Sequence, residues 1–541
     1  MIQIPDSIIK DEKEYKNKVK LYLKGKIEYE KFKPYSSAMG VYEQREKGKY
    51  MVRARIPGGV ITLNQLKRIV KIANQYSEGR IHFTSRQDIQ FHNVSLENTV
   101  NIIEELLEEN IMTRGTGGNT PRNIGCSPLS GVDKEEVFDV TPYMEAVTSY
   151  LLKDQTVFNL PRKYKIAFSN SSKDTGNARI SDLGFIAKIH EGKKGFVVYG
   201  AGGLGNAPKA SIKLKDFIED HEVLYYVQAM KELFENEGDR VNRNKARIRH
   251  ILYRLGEEKF KNLFFDFLKK VKEKKNLDLY IEDTKEEKEK GKEISVDDLN
   301  IIHQKEKGLY SIYIHPENGN INIKNLNKVI EYIDNLRYIP SIRLTNTQGF
   351  YIRDIKGEDV TKLLYIVEKF SRKFPIEQSV ACAGAKTCKL GLCLSQNLLS
   401  AIIKRFEKVE KEIKKEFPRM FISGCPNSCG QHQKGLIGFS GKAKRNEYGL
   451  IPMYTVFFGG NLEYGILGKA YGDIPAKKIP DFLVKLAEIK FESNIIDFME
   501  FIQSKEKTIK GLIKKYEDIE SIEDNPSLYY DFGSNTPFSL K

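Results

Sequence analysis

The sequence predicts an α+β fold, internally duplicated, in which two strand–helix–strand–helix half-domains are each followed by a larger mixed α/β domain. Two repeats carry this reading. The segment "KGKYMVRARIPGGVITLNQLKRIVKIANQYSEGRIHFTSRQDIQFH" (47–92) recurs as "KGLYSIYIHPENGNINIKNLNKVIEYIDNLRYIPSIRLTNTQGFYI" (307–352), with Tyr50 against Tyr310 and Thr84 against Thr345. Later, "LPRKYKIAFSNSS" (160–172) matches "FPRMFISGCPNSC" (417–429) and "VVYGAGG" (197–203) matches "YTVFFGG" (454–460), both at an offset of 257. The plain alternative is a duplicated fold with no shared site.

Each copy of the first repeat reads as strand, turn, amphipathic helix and strand, with a helix after it such as "LENTVNIIEELLEE" (96–109). The segment "IHFTSRQDIQFH" (81–92) alternates with period two. It is expected to form one strand with a polar face of His82, Thr84, Arg86, Asp88, Gln90 and His92. In "LPRKYK" (160–165), Lys163 and Lys165 alternate along an extended strand and face the same way. "VLYYVQAMKELF" (223–234) has apolar residues at helical spacing and reads as core. The expected domains are 1–115, 116–270, 301–375 and 376–505. A charge-rich linker or surface excursion spans 271–300, and a tail spans 506–541, wrapped over another domain or partly disordered.

The chain has 541 residues, too many for one ordinary core, and no apolar run long enough to span a bilayer. No membrane partner and, by default, a cytoplasmic location are expected. The net charge of +15 suggests a polyanionic partner. No nucleic-acid-binding signature is present, and much of the lysine lies in mixed-charge helix faces such as "RFEKVEKEIKKEF" (405–417), so nucleic acid is not expected.

Five of the six cysteines lie in "ACAGAKTCKLGLC" (381–393) and "ISGCPNSCGQH" (422–432). Thiols stay reduced in the cytoplasm, which favours metal ligation over disulfides. Cys382, Cys388, Cys425 and Cys429 form C-x5-C and C-x3-C pairs, able to hold a tetrahedral ion or a cubane cluster. A structural zinc site in a non-catalytic basic protein is the alternative, although zinc knuckles use tighter spacings. Cys126 and Cys393 read as buried small hydrophobes.

The cysteine pattern, with C-x3-C inside "SGCPNSCGQ", resembles the siroheme-dependent sulfite and nitrite reductase family. The resemblance spans most of the chain and implies two ferredoxin-like half-domains, siroheme and a [4Fe–4S] cluster. It makes Cys382, Cys388 and Cys425 cluster ligands and Cys429 the bridge to the siroheme iron, with Asn427 also near the cofactor. The family often has an acid seven residues after that bridge, where this chain has Leu436.

The same resemblance makes Arg86 and Arg122 (in "NTPRNIG") substrate arginines and Lys163 and Lys165 substrate lysines. Thr347 is the counterpart of Arg86, and Met420 and Ile422 are those of the lysines, so the charge is expected once. Arg162, on the same extended strand as the lysines, points to its opposite face or, if the strand twists, to a siroheme carboxylate; Lys245 and Arg247, on a helix, meet siroheme carboxylates or face solvent. Gly202 and Gly203, in the Gly-rich "YGAGGLGNAP" (199–208), are candidates for backbone amides donated to them. Guanidinium forks suit oxyanions, and lysines among like charges hold transferable protons.

The expected reaction is six-electron reduction of sulfite to sulfide, with nitrite reduction as the alternative. Lys165 weighs toward sulfite, because nitrite-specialised members of the family typically have asparagine there. No flavin or nicotinamide domain is evident, so an external donor is expected: an acidic ferredoxin suited to the +15 surface, or a separate flavoprotein.

Overall fold

A computed structural model describes residues 2–282 and 289–540. Among these, the strands form four five-stranded sheets, two per half of the chain. In the first half-domain, Tyr50–Ala54 pairs antiparallel with Ile89–Val94, which pairs with Arg80–Phe83. Helices Leu63–Tyr76 and Leu96–Leu107 cover one face. Their starts are written locally: Thr62 and Gln65 form a reciprocal capping box, and the Ser95 hydroxyl accepts from the Asn98 amide. Leu66, Ile69, Val70 and Ala73 fall on the buried side of the first helix.

The half-domains exchange their fifth strands. Asn320–Asn322 from the second half pairs with Arg80–Phe83 of the first, and Val60–Ile61 from the first pairs with Ser341–Leu344 of the second. One continuous hydrophobic core, running from Tyr15 to Val367, therefore fills both. The two larger domains keep separate cores. Their sheets share one plan: three parallel strands, the third of which is also the first arm of an antiparallel hairpin, and an antiparallel edge strand.

The structure revises three of the expectations and decides between the two alternatives for the tail. Residues 81–92 are a hairpin rather than one strand. The chain reverses over 84–88, where the Thr84 amide donates to the Asp88 carbonyl (3.0 Å) and Gln87 takes a left-handed φ of 58°. The side chain of Gln87 bonds Cys126 in both directions, at 2.9 and 3.0 Å, which offsets the backbone strain. Gln348 repeats the device against Ala381 with φ 63°.

The second revision concerns register. Ile166 pairs with Leu183 as Met420 pairs with Ile437, so over these strands and the loop between them the offset is 254 residues, and in the strand that follows, where Val197 matches Thr455, it is 258. The first copy has three more residues between its proline and its strand, which a match anchored on Pro161 and Pro418 cannot absorb. The counterparts of Lys163 and Lys165 are thus Phe417 and Arg419, not Met420 and Ile422. Charge is repeated at the second position. Thr175 is the counterpart of Cys429, and Asp182 that of Leu436.

The expected excursion after 271 begins as the end of helix Glu257–Lys274. Beyond it Leu277, Leu279 and Ile281 pack on the first α/β core and Ile294 on the half-domain core; residues 283–288 of that excursion lie outside the described residues. The tail is ordered over the second α/β domain. Ile509 and Ile513 enter its core, Leu528 and Tyr529 pack on Ile451 and Met453, and the Asp531 carboxylate accepts from the Leu394 amide (2.7 Å).

Candidate active site

The hairpin tip 84–88 places Arg86 against two other segments. Asn123, next to Arg122, donates to the Arg86 carbonyl (3.0 Å), and the Arg122 amide donates to the Tyr164 carbonyl (2.8 Å). Tyr164 is fully buried, with its hydroxyl on the Val227 carbonyl (3.3 Å). Lys163 and Lys165, one residue either side of it, therefore share the opposite face, as the alternation predicted.

Arg122 spends donors on the carbonyls of Gly115 (3.2 Å) and Gly118 (2.7 Å). No hydrogen bond from the Arg86 guanidinium to another described residue is seen. Arg122 neighbours Arg86 and Lys163, and Lys165 neighbours Arg86 and Lys163, in one electrostatic network with Arg53, Arg162 and Arg247. Burial first, then this like charge, lowers Arg86 to about 10, Arg122 to about 9 and Lys163 to about 7. Lys165 is held well below the usual lysine range for the same reasons.

The hairpin also docks on the second cysteine loop. The Ser85 hydroxyl donates to the Cys429 carbonyl (2.8 Å), and the Gln431 amide donates to the Ser85 carbonyl (3.1 Å). Lys163 lies within electrostatic reach of Cys429. Cys429 in turn neighbours Cys382, Cys388 and Cys425, bringing the two cysteine loops face to face. Asn427 bonds the Cys425 thiol through its amide and side chain. Arg45, from the first half, holds the other loop by donating to the Gly391 carbonyl (2.8 Å). Among the described residues, no three His, Cys, Asp or Glu side chains stand close enough together for a single ion. Cys126 and Cys393 are buried.

The remaining candidates divide. Arg162 is half-buried beside Arg243 and Arg247. Lys245 is exposed in a turn, and Arg247 is buried ahead of helix Ile248–Leu255 rather than on it. Arg247 forks onto Asp182 through Nη2 (2.8 and 2.9 Å) and Nε (3.3 Å), so two of its nitrogens serve that carboxylate. The amides of Gly202 and Gly203 are already given to the carbonyls of Ser181 (2.9 Å) and Lys209 (2.8 Å), so neither donates to a ligand. Gly203 is small for another reason: a Cβ there would stand 2.7 Å from Arg249 Nη1. Two residues further on, Gly205 exchanges bonds with Gln433 at 3.2 and 3.1 Å, joining the Gly-rich loop to the cysteine loop.

Sequence reasoning missed Ser85, Asn123, Asp182, Arg249 and Gln431. Asp182 had a trace, because its counterpart is the anomalous Leu436. Asp182 is completely buried and accepts from the Lys165 amide (2.8 Å) as well as from Arg247. It and Asp88 are the carboxylates among this excess of cations. Uncompensated buried charge is costly, so the cleft fits a ligand bearing several carboxylates. Arg249 Nη1, Ser428 Oγ and Gln431 Oε1, from the segments just described, are buried polar atoms without partners among the described residues.

Comparison with known proteins decides the family. The model of the nitrite/sulfite reductase ferredoxin-like half domain matches residues 42–109 and again 302–369. That of the nitrite and sulphite reductase 4Fe-4S domain matches 117–272. The chain belongs to the siroheme- and [4Fe–4S]-dependent nitrite and sulfite reductase family. It is 28% identical over 458 residues to ferredoxin–nitrite reductase of Synechococcus elongatus, covering 82% of this chain and 86% of that one. It is 26% identical over 479 residues to the assimilatory ferredoxin-dependent nitrite reductase of Haloferax mediterranei, covering 83% and 81%. The structure of the Mycobacterium tuberculosis NirA protein shares the fold, with a TM-score of 0.77 and 22% identity, over 91% of this chain and 96% of that one. The protein is thus an oxidoreductase whose cofactors are siroheme and a [4Fe–4S] cluster. Among the described residues, no helix is long and apolar enough to cross a membrane.

Proposed function

We propose that this protein catalyses the six-electron reduction of nitrite to ammonia, with ferredoxin as donor. The observation that carries the reading is the docking of the Arg86 hairpin on the Cys429 segment, in a neighbourhood that also holds Arg122, Lys163 and Lys165. Cys382, Cys388, Cys425 and Cys429 would hold the cluster, Cys429 also bridging to siroheme. Arg162, Arg249 and Lys245 would meet siroheme carboxylates. When bound, siroheme and the cluster supply the redox chemistry.

The residues of the chain bind and position the anion. Arg86 and Arg122 stay charged at neutral pH and offer forked donors to its oxygens. Lys163, near 7, holds a proton it can release to a departing oxygen. Breaking each N–O bond yields water and so consumes protons. Asp182 fixes the backbone of Lys165 and the fork of Arg247.

Sulfite was the first expectation from sequence, because four full cations suit an anion carrying up to two charges. Burial weakens that argument. Burial and like charge lower both lysines, Lys163 to about 7, so the pocket does not hold four cations at full strength. Relatives named as nitrite reductases support the choice of nitrite. Sulfite stays the second reading, favoured by the lysine at 165. The test is the ratio of kcat/KM for nitrite and for sulfite with one reduced viologen donor. A ratio favouring sulfite overturns the proposal. Ferredoxin fits the +15 charge and an exposed Cys388 beside exposed Lys386.

A further inference from the structure

The contact between the Arg86 hairpin and the Cys429 segment has a mirror image. In the other half of the molecule, the second hairpin donates from the Asn346 side chain to the Thr175 carbonyl (2.6 Å). Asn346 is the counterpart of Ser85, and Thr175 that of Cys429. The underlying loops match closely: Ser169 and Ser423 hydroxyls accept from the amides of Gly176 and Gly430 at 3.0 and 3.1 Å. A single bond between hairpin tip and loop is therefore part of the duplicated architecture.

The Cys429 side adds a second bond. Gln431 donates back to the Ser85 carbonyl (3.1 Å), so tip and loop are tied in both directions. Its counterpart Asn177 is used otherwise, accepting from Lys434 Nζ (3.1 Å). Both residues hold a left-handed backbone, φ 61° and 69°, so the loop geometry is the same and only the tie differs. The double tie occurs where an arginine follows the serine. On the mirror side Thr347 stands in that place.

We propose that Ser85 and Gln431 are positioning residues that lock the Arg86 guanidinium and Cys429 into one frame. An arginine on a freely moving hairpin would lose orientation entropy on each binding event. Two bonds at the residue before it remove that freedom in advance. The inference rests on the reading of Cys429 and Arg86 as the reactive pair.

The test compares Ser85→Ala, Ser85→Thr and Gln431→Asn with the mirror variant Asn346→Ala, all as holoenzyme. Asparagine tolerates the left-handed backbone but is too short to reach Ser85. Iron content, melting temperature and the nitrite Kd from spectral titration are measured, then KM and kcat. Ser85→Ala and Gln431→Asn should keep their iron, and their nitrite Kd and KM should rise roughly three- to tenfold, the loss expected for one hydrogen bond. Ser85→Thr should restore affinity. Asn346→Ala should lower the melting temperature and leave the Kd unchanged. The proposal is overturned if the two tie variants move the Kd no more than Asn346→Ala does, or if both lose iron together. Failure of the underlying reading looks different: Cys429→Ser would then keep a normal coupled spectrum whatever the tie variants do.

Discussion

Replacing Arg86 by alanine separates binding chemistry from folding. Arg86 is half-buried, and its main chain is held by Thr84 and Asn123, so the hairpin does not depend on its side chain. Burial and the neighbouring Arg247 and Arg53 lower its pKa to about 10, with Asp88 and Asp182 opposing. A base with a depressed folded pKa costs folding free energy wherever it is charged, which includes neutral pH. Its removal should therefore leave the melting temperature of the cofactor-free protein unchanged or raise it. The functional loss is a charge-assisted contact to an oxyanion of about 1.5–3 kcal/mol. At about 1.4 kcal/mol per factor of ten, that is about tenfold to a hundredfold in kcat/KM if the contact persists in the transition state. The assay is nitrite turnover with reduced viologen, beside iron content and thermal melts with and without cofactors. Turnover within twofold of wild type at full cofactor loading, or a large fall in the melting temperature, would refute the reasoning.

Cys429→Ser should abolish the coupled siroheme–cluster spectrum, because an alkoxide is a poor ligand for these metals, while Cys126→Ser and Cys393→Ser keep it. Lys165→Asn should lower kcat/KM for sulfite and leave nitrite reduction unchanged or improved; a ratio that does not move means Lys165 does not discriminate. Acid should loosen the strand exchange. Burial pushes His82, bonded to Asn320 of the exchanged strand, down to about 4, and His92 beside it to about 3. Each contributes stability that is full above the unfolded value near 6.5 and is lost as pH falls toward 4. Urea midpoints should drop across that window, and less steeply in His82→Gln.

The sequence by itself determined what depends on short-range pattern. Capping residues, helical periodicity and the cysteine spacings sit within a few residues of one another. The two half-domains, their helices and the cysteine loops were therefore legible, as was the shared face of Lys163 and Lys165. Tertiary structure decided whatever depends on partners far along the chain. Period two cannot distinguish one strand from a tight hairpin, and the turn at 84–88 is stabilised by Gln87 reaching Cys126. The offset of 254 rather than 257 around the second cysteine loop follows from strand pairing, which a proline-anchored match does not see. Arg247 became a partner of Asp182, and the amides of Gly202 and Gly203 were taken by backbone, because a buried donor bonds the nearest acceptor the fold presents. The active-site cleft itself belongs to this second class. Ser85 and Cys429 are 344 residues apart, and it is the packing of the two halves, through the exchanged strands and through contacts such as Gly205 with Gln433, that brings an arginine of one half onto a cysteine of the other.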